Sequence, residues 1–315
     1  MSTMTSFANL EKPAYGDDVD IAVINGNADI IDGLLKGLDD TDENQEDRIA
    51  YLESDNLDTI AGRSLAIVFA DEIAGYANIW AWLKARVQAA NFTGLRIRDY
   101  IDVVTTKYGT VRYQIGAFDP YYQCSDSPLS HHVIMVPTAP VELNASTTYV
   151  TNGSYIMWNT TATNQGTSAE KSPYLVSNLH KWEINDYLPS LPQMVRNAIL
   201  PYRSLAETRY SASGALNASN GWEWKNLGEI WSPSEMEVYG CCVWGTPGYS
   251  VGMDCQFPIF KQTKDRIQGQ RVHWWLRSAH GASASYVCRV NGAGYANYYS
   301  AAYTWVRPLP CFLVG

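Results

Sequence analysis

Long apolar runs are absent from the 315-residue sequence: no stretch approaches the roughly 20 consecutive apolar residues that cross a bilayer. The first residues also lack the basic and then apolar pattern of a signal peptide. We therefore expect neither membrane insertion nor conventional secretion.

Charged residues make up only 17% of the chain, and no segment forms the basic patch typical of nucleic-acid-binding proteins. Nucleic acid is consequently not expected to be the main ligand.

Metal-binding spacings are absent as well. The six cysteines include no C-x-x-C pair, and the five histidines are not spaced with them in any zinc pattern. Buried free thiols are the favoured interpretation of the cysteines, with one or two disulfides as the alternative. His131 and His132 directly precede an apolar strand, where adjacent side chains point to opposite faces, so the pair is predicted to be structural. The sequence thus predicts neither a metal site nor a cofactor.

One motif matches a catalytic nucleophile. Residues 248–252, Gly-Tyr-Ser-Val-Gly, fit the G-x-S-x-G pattern of serine hydrolases. The acids and histidines that follow in hydrolase order are Asp254 or Asp265 and His273 or His280. The pattern works only on a strand-to-helix turn, and Pro247 and Pro258 on either side leave no room for a useful helix. We interpret the motif as a glycine-rich loop.

The N-terminal region is strongly acidic. Residues 16–58 contain fourteen Asp and Glu residues against Lys36 and Arg48, which gives a local charge of −12. A seam in steps of three and four residues runs through it, at Ile24, Ala28, Ile31, Leu35, Leu38, Asp42, Gln45, Ile49, Leu52, Asn56 and Thr59. This spacing predicts a helical stalk that self-associates as a coiled coil, with a trimer favoured. The alternative is an amphipathic helix packed on its own domain, because three glycines weaken the helix.

The rest of the chain predicts a mixed α+β fold. Apolar residues make up 46% of the sequence, enough for a large core. Apolar periodicity predicts helices over residues 60–90 and 191–200. Short β-branched segments predict strands over residues 96–104, 111–117 and 133–137. Because there is no internal repeat and no regular alternation of strands and helices, we expect a twisted antiparallel sheet with flanking helices.

Residues 279–304 differ in character from the rest. Of these 26 residues, seven are Ala, five Tyr, three Ser, three Gly and two Asn, and none is Lys, Glu, Asp, Gln, Met or Trp. The same few residue types crowd antibody loops, where tyrosine supplies rigid contact area. Asn291-Gly292 follows a strand-like stretch and predicts a hairpin that displays its side chains on one face. The alternative is an ordinary Gly-, Ala- and Tyr-rich sheet packed inside the domain.

The anchors around this segment carry a family resemblance. Residues 274–278, Trp-Trp-Leu-Arg-Ser, precede the segment, and Val306-Arg307-Pro308 follows it. The upstream motifs are residues 95–101, 115–119, 131–132 and 232–240. Together these motifs resemble the C-type-lectin-like domain family of bacterial and phage proteins, which includes variable proteins of diversity-generating retroelements. The resemblance covers about residues 91–315 and implies that Trp274, Trp275, Trp305 and Arg307 are framework, with buried tryptophans and a paired arginine.

Variable proteins of this kind imply a set of diversified positions. Adenine-directed mutagenesis of Asn-type codons never produces Lys, Glu, Gln, Met or Trp in them, and residues 279–304 obey that exclusion. The positions that the resemblance implies as displayed and ligand-binding are His280, Ser283, Ser285, Tyr286, Arg289, Asn291, Tyr295, Asn297, Tyr298, Tyr299, Ser300 and Tyr303. The tripeptides of calcium-dependent lectins, E-P-N, Q-P-D and W-N-D, are absent, so we expect recognition without a metal.

The N-terminus carries a second resemblance. Residues 10–13, 16–21, 24–27 and 30–32 are similar to the opening of tailed-phage tail fibre proteins. The two resemblances imply a receptor-binding adhesin of the virion, made in the bacterial cytoplasm and without enzymatic activity. They divide the chain into an attachment segment for other tail proteins (1–15), the stalk (16–58) and a lectin-like domain (59–315) that binds a protein or glycan on the bacterial surface.

Three alternatives to this interpretation share parts of the sequence. A variable ligand-binding protein displayed on a bacterial surface would use the same domain. An enzyme of the formylglycine-generating type would need a reactive cysteine pair, for which Cys288 and Cys311 are the candidates. A serine hydrolase would use the motif at residues 248–252.

Overall fold

The computed structural model describes residues 3–4, 10–12, 24–37, 62–143, 148–213, 216–246, 255–267 and 271–315. The chain divides into two compact units, Met1–Ile60 and Ala61–Gly315. In the first unit, Thr3–Met4 (β1) pairs antiparallel with Glu11–Lys12 (β2), and a helix (α1) spans residues 24–37. This helix exposes the seam residues Ile24, Ile31 and Leu35. The other parts of the predicted stalk and of the attachment segment lie outside the described residues.

The second unit contains many short elements. Its helices are Leu65–Val68 (α2), Ala70–Ile73 (α3), Ile79–Gln88 (α4), Pro173–Val176 (α5), Asn178–Trp182 (α6), Leu188–Ser190 (α7), Gln193–Arg196 (α8), Glu235–Tyr239 (α9) and Thr263–Arg266 (α10). A π-helical turn, Glu183–Tyr187, joins α6 to α7, and Pro258–Phe260 forms a 3-10 turn. None of the helices described here or in the first unit is long and apolar enough to cross a membrane.

The strands of the second unit form antiparallel sheets. They are Tyr100–Val104 (β3), Thr110–Phe118 (β4), Val133–Pro137 (β5), Val150–Asn152 (β6), Tyr155–Ile156 (β7), Ile199–Leu200 (β8), Arg203–Thr208 (β9), Gly221–Asn226 (β10), Trp274–Ala279 (β11), Tyr286–Val290 (β12), Ala296–Ser300 (β13) and Phe312–Val314 (β14). The largest sheet has the order β3-β4-β5-β14-β8, and a second has the order β11-β12-β13. The predicted mixed α+β class with an antiparallel sheet is confirmed.

The centre of the five-stranded sheet explains the apolar C-terminus. Strand β14 lies between β5 and β8, and every residue of β5 and β14 is buried. Such strands are covered on both faces, so they read as continuous apolar runs. In β4, a bulge lies between Ile115 and Ala117. Only glycine fits at Gly116, since a Cβ atom there would lie 2.7 Å from Cγ2 of Val136.

Buried tryptophans attach the three-stranded sheet β11-β12-β13 to the hydrophobic core. Six of them are fully buried, namely Trp82, Trp158, Trp182, Trp231, Trp274 and Trp275. The Trp275 indole N–H donates to the carbonyl of Ile156 at 2.8 Å, and the Trp158 indole N–H donates to the carbonyl of Leu276 at 3.0 Å. These reciprocal bonds fix β11 to the segment that contains Trp158. Trp274 and Trp275 are therefore buried framework, as predicted.

Three predicted elements have different bounds in the structure. Residues 96–99 form a turn rather than part of a strand, with Arg98 at a φ of 80°. The predicted helix over 60–90 is broken into α2, α3 and α4, because Asn78 starts α4 by accepting hydrogen bonds from the N–H groups of Trp80 and Ala81. The predicted helix over 191–200 is helical only at Gln193–Arg196, and Ile199–Leu200 instead pairs with β14.

The two adjacent histidines are structural, as predicted. The Asp119 carboxylate accepts a hydrogen bond from the backbone N–H of His132 at 2.6 Å and contacts Nδ1 of His131 at 2.6 Å. The buried His132 ring donates from Nδ1 to the carbonyl of Ser130 at 2.8 Å. Burial lowers the pKa of His132 below the ordinary value of 6.5. This ring is therefore neutral in the folded chain at pH 7.

We expect the chain to lose stability as the pH falls through 6.5, in part because of His132. Below this pH the unfolded chain binds a proton at His132 that the folded chain does not bind, so acid favours unfolding. The contribution is at most about 1.4 kcal/mol per pH unit. Urea unfolding at pH 7.5 and 5.5 measures it, with His132→Gln as the matched variant. If the wild-type protein and His132→Gln lost the same free energy of unfolding between these two pH values, His132 would not contribute to the loss.

Candidate ligand-binding surface

The predicted hairpin is present at the edge of the three-stranded sheet. Strands β12 and β13 pair antiparallel over Tyr286–Val290 and Ala296–Ser300, and β13 is the edge strand. The connection spans residues 291–295, longer than a two-residue turn. The Asn291 side-chain oxygen accepts hydrogen bonds from the N–H groups of Ala293 (2.9 Å) and Tyr295 (3.0 Å). Asn291 therefore shapes the turn, and its carboxamide oxygen is already used.

The predicted residues occupy two faces of this sheet, and the expectation of one face is wrong. Side chains alternate along a strand, so cross-strand partners share a face and their neighbours take the other. On one face the pairs are Tyr286 with Ser300 and Cys288 with Tyr298. On the opposite face they are Val287 with Tyr299 and Arg289 with Asn297. Two groups of side chains result, one on each face.

The first group is an aromatic cluster made of Trp244, His280, Tyr286 and Tyr298. The Tyr298 ring centroid lies 4.8 Å from Trp244, 4.4 Å from His280 and 5.5 Å from Tyr286. Trp244 is 42% and Tyr286 40% exposed, whereas the other two rings are half-buried. Rings at these spacings support one another and leave a rigid apolar surface with polar edges. Such a surface can stack on a sugar ring or pack on an apolar protein side chain.

A buried carboxylate holds Trp244 in this cluster. Glu235 in α9 is fully buried and accepts hydrogen bonds from the backbone N–H groups of Val243 (3.0 Å), Trp244 (3.1 Å) and Gly245 (2.7 Å). A Cβ atom at Gly245 would lie 2.9 Å from Oε2 of Glu235, so a larger residue there would displace the carboxylate. Burial raises the pKa of Glu235, and the three N–H groups oppose that rise. The Glu235 carboxylate thus fixes the backbone of the loop that carries Trp244.

His280 is held in place from both sides. Its Nδ1 accepts a hydrogen bond from the N–H of Ala282 at 3.0 Å. The preceding residue, Ala279, donates its N–H to Oε1 of the buried Glu207 at 2.8 Å. Burial lowers the pKa of His280, with the positive charge of Arg209 as a second cause. The ring is therefore neutral at pH 7 and belongs with the aromatic side chains.

The second group, here called the Arg289 cluster, contains Arg289, Asn297, Tyr299 and Tyr303. The guanidinium carbon of Arg289 lies 4.6 Å from the Tyr299 ring centroid and 5.6 Å from that of Tyr303. Its Nε donates to the Asn297 side-chain oxygen at 3.2 Å. Tyr299 is 41% exposed, and Tyr295 at the hairpin tip is 61% exposed. This face therefore combines a cation with accessible phenol rings.

The remaining predicted positions are three serines, of which two lie in a turn and one at the end of a strand. Ser283 and Ser285 are in the turn between β11 and β12, with their hydroxyl oxygens 3.3 Å apart. The Ser283 carbonyl accepts hydrogen bonds from the Asn164 carboxamide (2.8 Å) and from Nη2 of Arg209 (2.9 Å), which fix the turn. Ser300 ends β13, half-buried. These serines border the aromatic cluster without forming its centre.

Two aromatic residues differ from the sequence-based expectation. Trp305 was expected to be buried framework, but it is 52% exposed and contacts Tyr155, with ring centroids 5.3 Å apart. Its neighbour Arg307 is buried and pairs with Glu142 at 3.1 Å, as predicted. Trp244 was missed altogether, because it lies in a loop some 35 residues before the predicted segment. The sequence alone does not indicate that Trp244 is exposed or that its loop lies beside the hairpin.

The residues proposed for catalysis are not assembled into a reactive site in the part of the chain that the structure describes. Cys288 and Cys311 are both free and buried, and burial raises the pKa of each thiol well above 9.0. Asp265 forms an ion pair with Arg98 at 2.7 Å. His273 accepts the N–H of Gly292 at 3.1 Å. The G-x-S-x-G motif at residues 248–252 lies outside the described residues.

Fold and surface together define an α+β domain that presents exposed aromatic side chains on an antiparallel hairpin. The family described as "Domain of unknown function (DUF6273)" matches residues 146–313, which include this hairpin and its anchors. The chain belongs to this family. No curated protein and no solved structure matches the chain.

Proposed function

We propose that the chain is a receptor-binding adhesin of a tailed phage, built on a C-type-lectin-like domain. In this proposal, residues 279–304 form a diversified surface that binds a protein or glycan on the bacterial cell. The observation that carries the proposal is the aromatic cluster, in which rings from the hairpin and from the Trp244 loop form one partly exposed surface. Aromatic side chains held in this way are the residues that dominate binding energy at protein interfaces.

The N-terminal unit would serve assembly. Helix α1 exposes apolar side chains at the spacing of the predicted seam, which supports a coiled-coil stalk and a trimer in this proposal. Several receptor-binding domains on one stalk would bind a cell with greater avidity than a single domain. The short segment that includes β1 and β2 would then attach the stalk to other tail proteins.

Binding of fluorescently labelled full-length protein to a panel of bacterial strains tests this function. We expect saturable binding to a subset of strains, and competition by unlabelled protein. Strains resistant to the phage that carries the chain provide the negative set. Absence of saturable binding to any strain that this phage infects would overturn the proposal.

We expect natural variants of the gene to differ mainly within residues 279–304. Substitutions should fall at adenines of an imperfect repeat near the gene, and the exposed residues Tyr286, Tyr295 and Tyr299 should vary more than the buried Trp274 and Trp275. Sequencing the gene and its flanking DNA from many isolates measures this. If the segment is as constant as the buried tryptophans, it is scaffold and not a diversified surface.

A variable protein displayed on a bacterial surface is the second candidate. It would use the same aromatic cluster and differ only in how the N-terminal unit is attached. Immunogold labelling of purified virions separates the two, because only the adhesin labels the tail. An enzyme of the formylglycine-generating type has less support, since burial favours the neutral thiol at both Cys288 and Cys311.

A further inference from the structure

Arg289 is a buried cation without an anionic partner. The side chain is 7% exposed, and its Nη1 has no hydrogen-bond partner. Within the described part of the chain, no carboxylate forms an ion pair with it, and its guanidinium lies over the rings of Tyr299 and Tyr303. Burial lowers the pKa of Arg289, yet a guanidinium stays protonated in proteins. A positive charge is therefore buried in the predicted binding segment.

Other buried arginines of this domain have carboxylate partners. Arg277 contacts Glu237 at 2.7 Å, and Arg307 contacts Glu142 at 3.1 Å. Burying an unpaired charge is unfavourable, so a guanidinium that lacks a partner in the folded chain has a strong tendency to acquire one. Arg307 is the closest match to Arg289, because it is 8% exposed and lies 5.5 Å from a tyrosine ring centroid, that of Tyr155.

We propose that Arg289 binds the carboxylate of an acidic sugar in the receptor, which makes the ligand an anionic glycan. This inference rests on the proposed function and names the ligand class. The planar fork of a guanidinium matches a carboxylate and can bind it through two hydrogen bonds. Tyr299 is the more exposed of the two rings that cover Arg289, so the ligand approaches from its side.

The surroundings favour an acidic sugar over a phosphate group. Tyr295 and Tyr299 offer exposed rings for stacking, and the Asn297 carboxamide lies beside the guanidinium at 3.2 Å from Nε. A flat ring bearing hydroxyls and one carboxylate uses all of these groups together. Phosphate would use the charge of Arg289 but would leave the tyrosine rings without a stacking partner.

The stability of Arg289→Met separates a ligand-binding role from a structural one. We expect the melting temperature of this variant to equal or exceed that of the wild-type protein, because the substitution removes an unpaired buried charge. Arg307→Met is the matched control, and its melting temperature should fall because it removes a buried guanidinium that is paired with a carboxylate, that of Glu142. A fall in the melting temperature of Arg289→Met at least as large as in the control would overturn the proposal.

Titration of the full-length protein with small probes tests the chemistry. We expect glucuronate to shift the Arg289 Nε–H and Tyr299 ring signals saturably in NMR spectra, and methyl glucoside to have no such effect. Arg289→Met should reduce glucuronate affinity at least tenfold, and Arg289→Lys should retain part of it. Equal binding of the neutral sugar, stronger binding of inorganic phosphate or of a glutamate-rich peptide, or no shift with glucuronate would each overturn the proposal.

Cell binding keeps this inference distinct from the proposed function. If wild-type protein binds its strains and Arg289→Met binds equally well, the adhesin stands and the acidic-sugar inference fails. If wild-type protein binds no strain but glucuronate still shifts the Arg289 signals, the anion site stands and the adhesin fails. If the receptor is an acidic glycan, treatment of the cells with a carbodiimide and borohydride, which reduces its carboxyl groups, should abolish binding of the wild-type protein.

Discussion

Arg277→Met is expected to lower the free energy of unfolding by about 3 to 5 kcal/mol, because it leaves the buried carboxylate of Glu237 without its cation. Nη2 of Arg277 donates to Oε1 of Glu237 at 2.7 Å, and Glu237 is fully buried. Burial by itself would lower the pKa of Arg277, but the adjacent Glu237 carboxylate raises it above the ordinary value. The ion pair is therefore strongly coupled, and urea unfolding at pH 7 measures its loss.

Two tyrosine hydroxyls and one backbone N–H also donate hydrogen bonds to Glu237. Its Oε1 also accepts hydrogen bonds from the hydroxyls of Tyr121 at 2.9 Å and Tyr202 at 3.0 Å. Its Oε2 accepts the N–H of Ser234 at 2.8 Å, which closes a capping box at the start of α9. Loss of the arginine charge thus disturbs two tyrosines and a helix terminus as well as the carboxylate.

A double variant and an exposed ion pair supply the controls. Arg277→Met with Glu237→Gln removes both charges and keeps an acceptor for the tyrosine hydroxyls, so it should be more stable than Arg277→Met alone. Arg112 pairs with Asp102 at 2.8 Å with both side chains more than 40% exposed, and Arg112→Met should cost at most about 1 kcal/mol. A loss in Arg277→Met no larger than in Arg112→Met would show that the buried pair is not needed.

The sequence predicts an element correctly where the residues of that segment alone determine its conformation. Val133–Pro137 is wholly apolar and β-rich, and it is a buried strand with the predicted bounds. Ile199–Leu200 was predicted as the end of a helix, since the competing partner, β14, lies more than 100 residues further along the chain. Pairing over such a distance leaves no periodic signal in either segment, which is why the sheet order could not be predicted.

In the candidate site, too, the sequence predicts what depends on neighbouring residues and does not predict what depends on residues distant in the chain. Composition and the Asn291-Gly292 turn predicted the hairpin, and strand pairing confirms it. The split of its side chains onto two faces depends on what packs against each face, which composition cannot indicate. Trp244 enters the aromatic cluster only because Glu235, in another element, binds its loop. Long-range hydrogen bonds of this kind are invisible in the sequence.

Helix α9 connects the core to the candidate surface. Glu237 binds Arg277 of β11 inside the domain, and two residues earlier Glu235 binds the loop that carries Trp244. Glu237 also closes the capping box with Ser234 that sets where the helix begins. The position of Trp244 therefore depends on the same short helix that the buried ion pair anchors. We infer that framework and surface are coupled, so that binding should weaken in Arg277→Met before the domain unfolds.

The double variant Tyr286→Ala with Tyr298→Ala is expected to lose at least about 100-fold in affinity for bacterial cells while it remains folded. Interface tyrosines that act as hot spots contribute about 2 kcal/mol or more each, and 1.4 kcal/mol is a factor of ten. The two rings are 5.5 Å apart and Tyr286 is 40% exposed, so their removal eliminates most of the hairpin's share of the aromatic cluster. Flow cytometry with labelled protein measures the affinity.

Tyr76→Ala is the matched control, because Tyr76 is 44% exposed and lies outside the sheet that carries the cluster. It should bind cells as the wild-type protein does. The melting temperature of the double variant decides how a loss of binding is interpreted, since exposed side chains contribute little to folding. If binding and melting temperature fall together, the two tyrosines belong to the core of the domain. If binding is unchanged, the aromatic cluster is not the receptor-binding surface, and the observation that carries the proposed function fails.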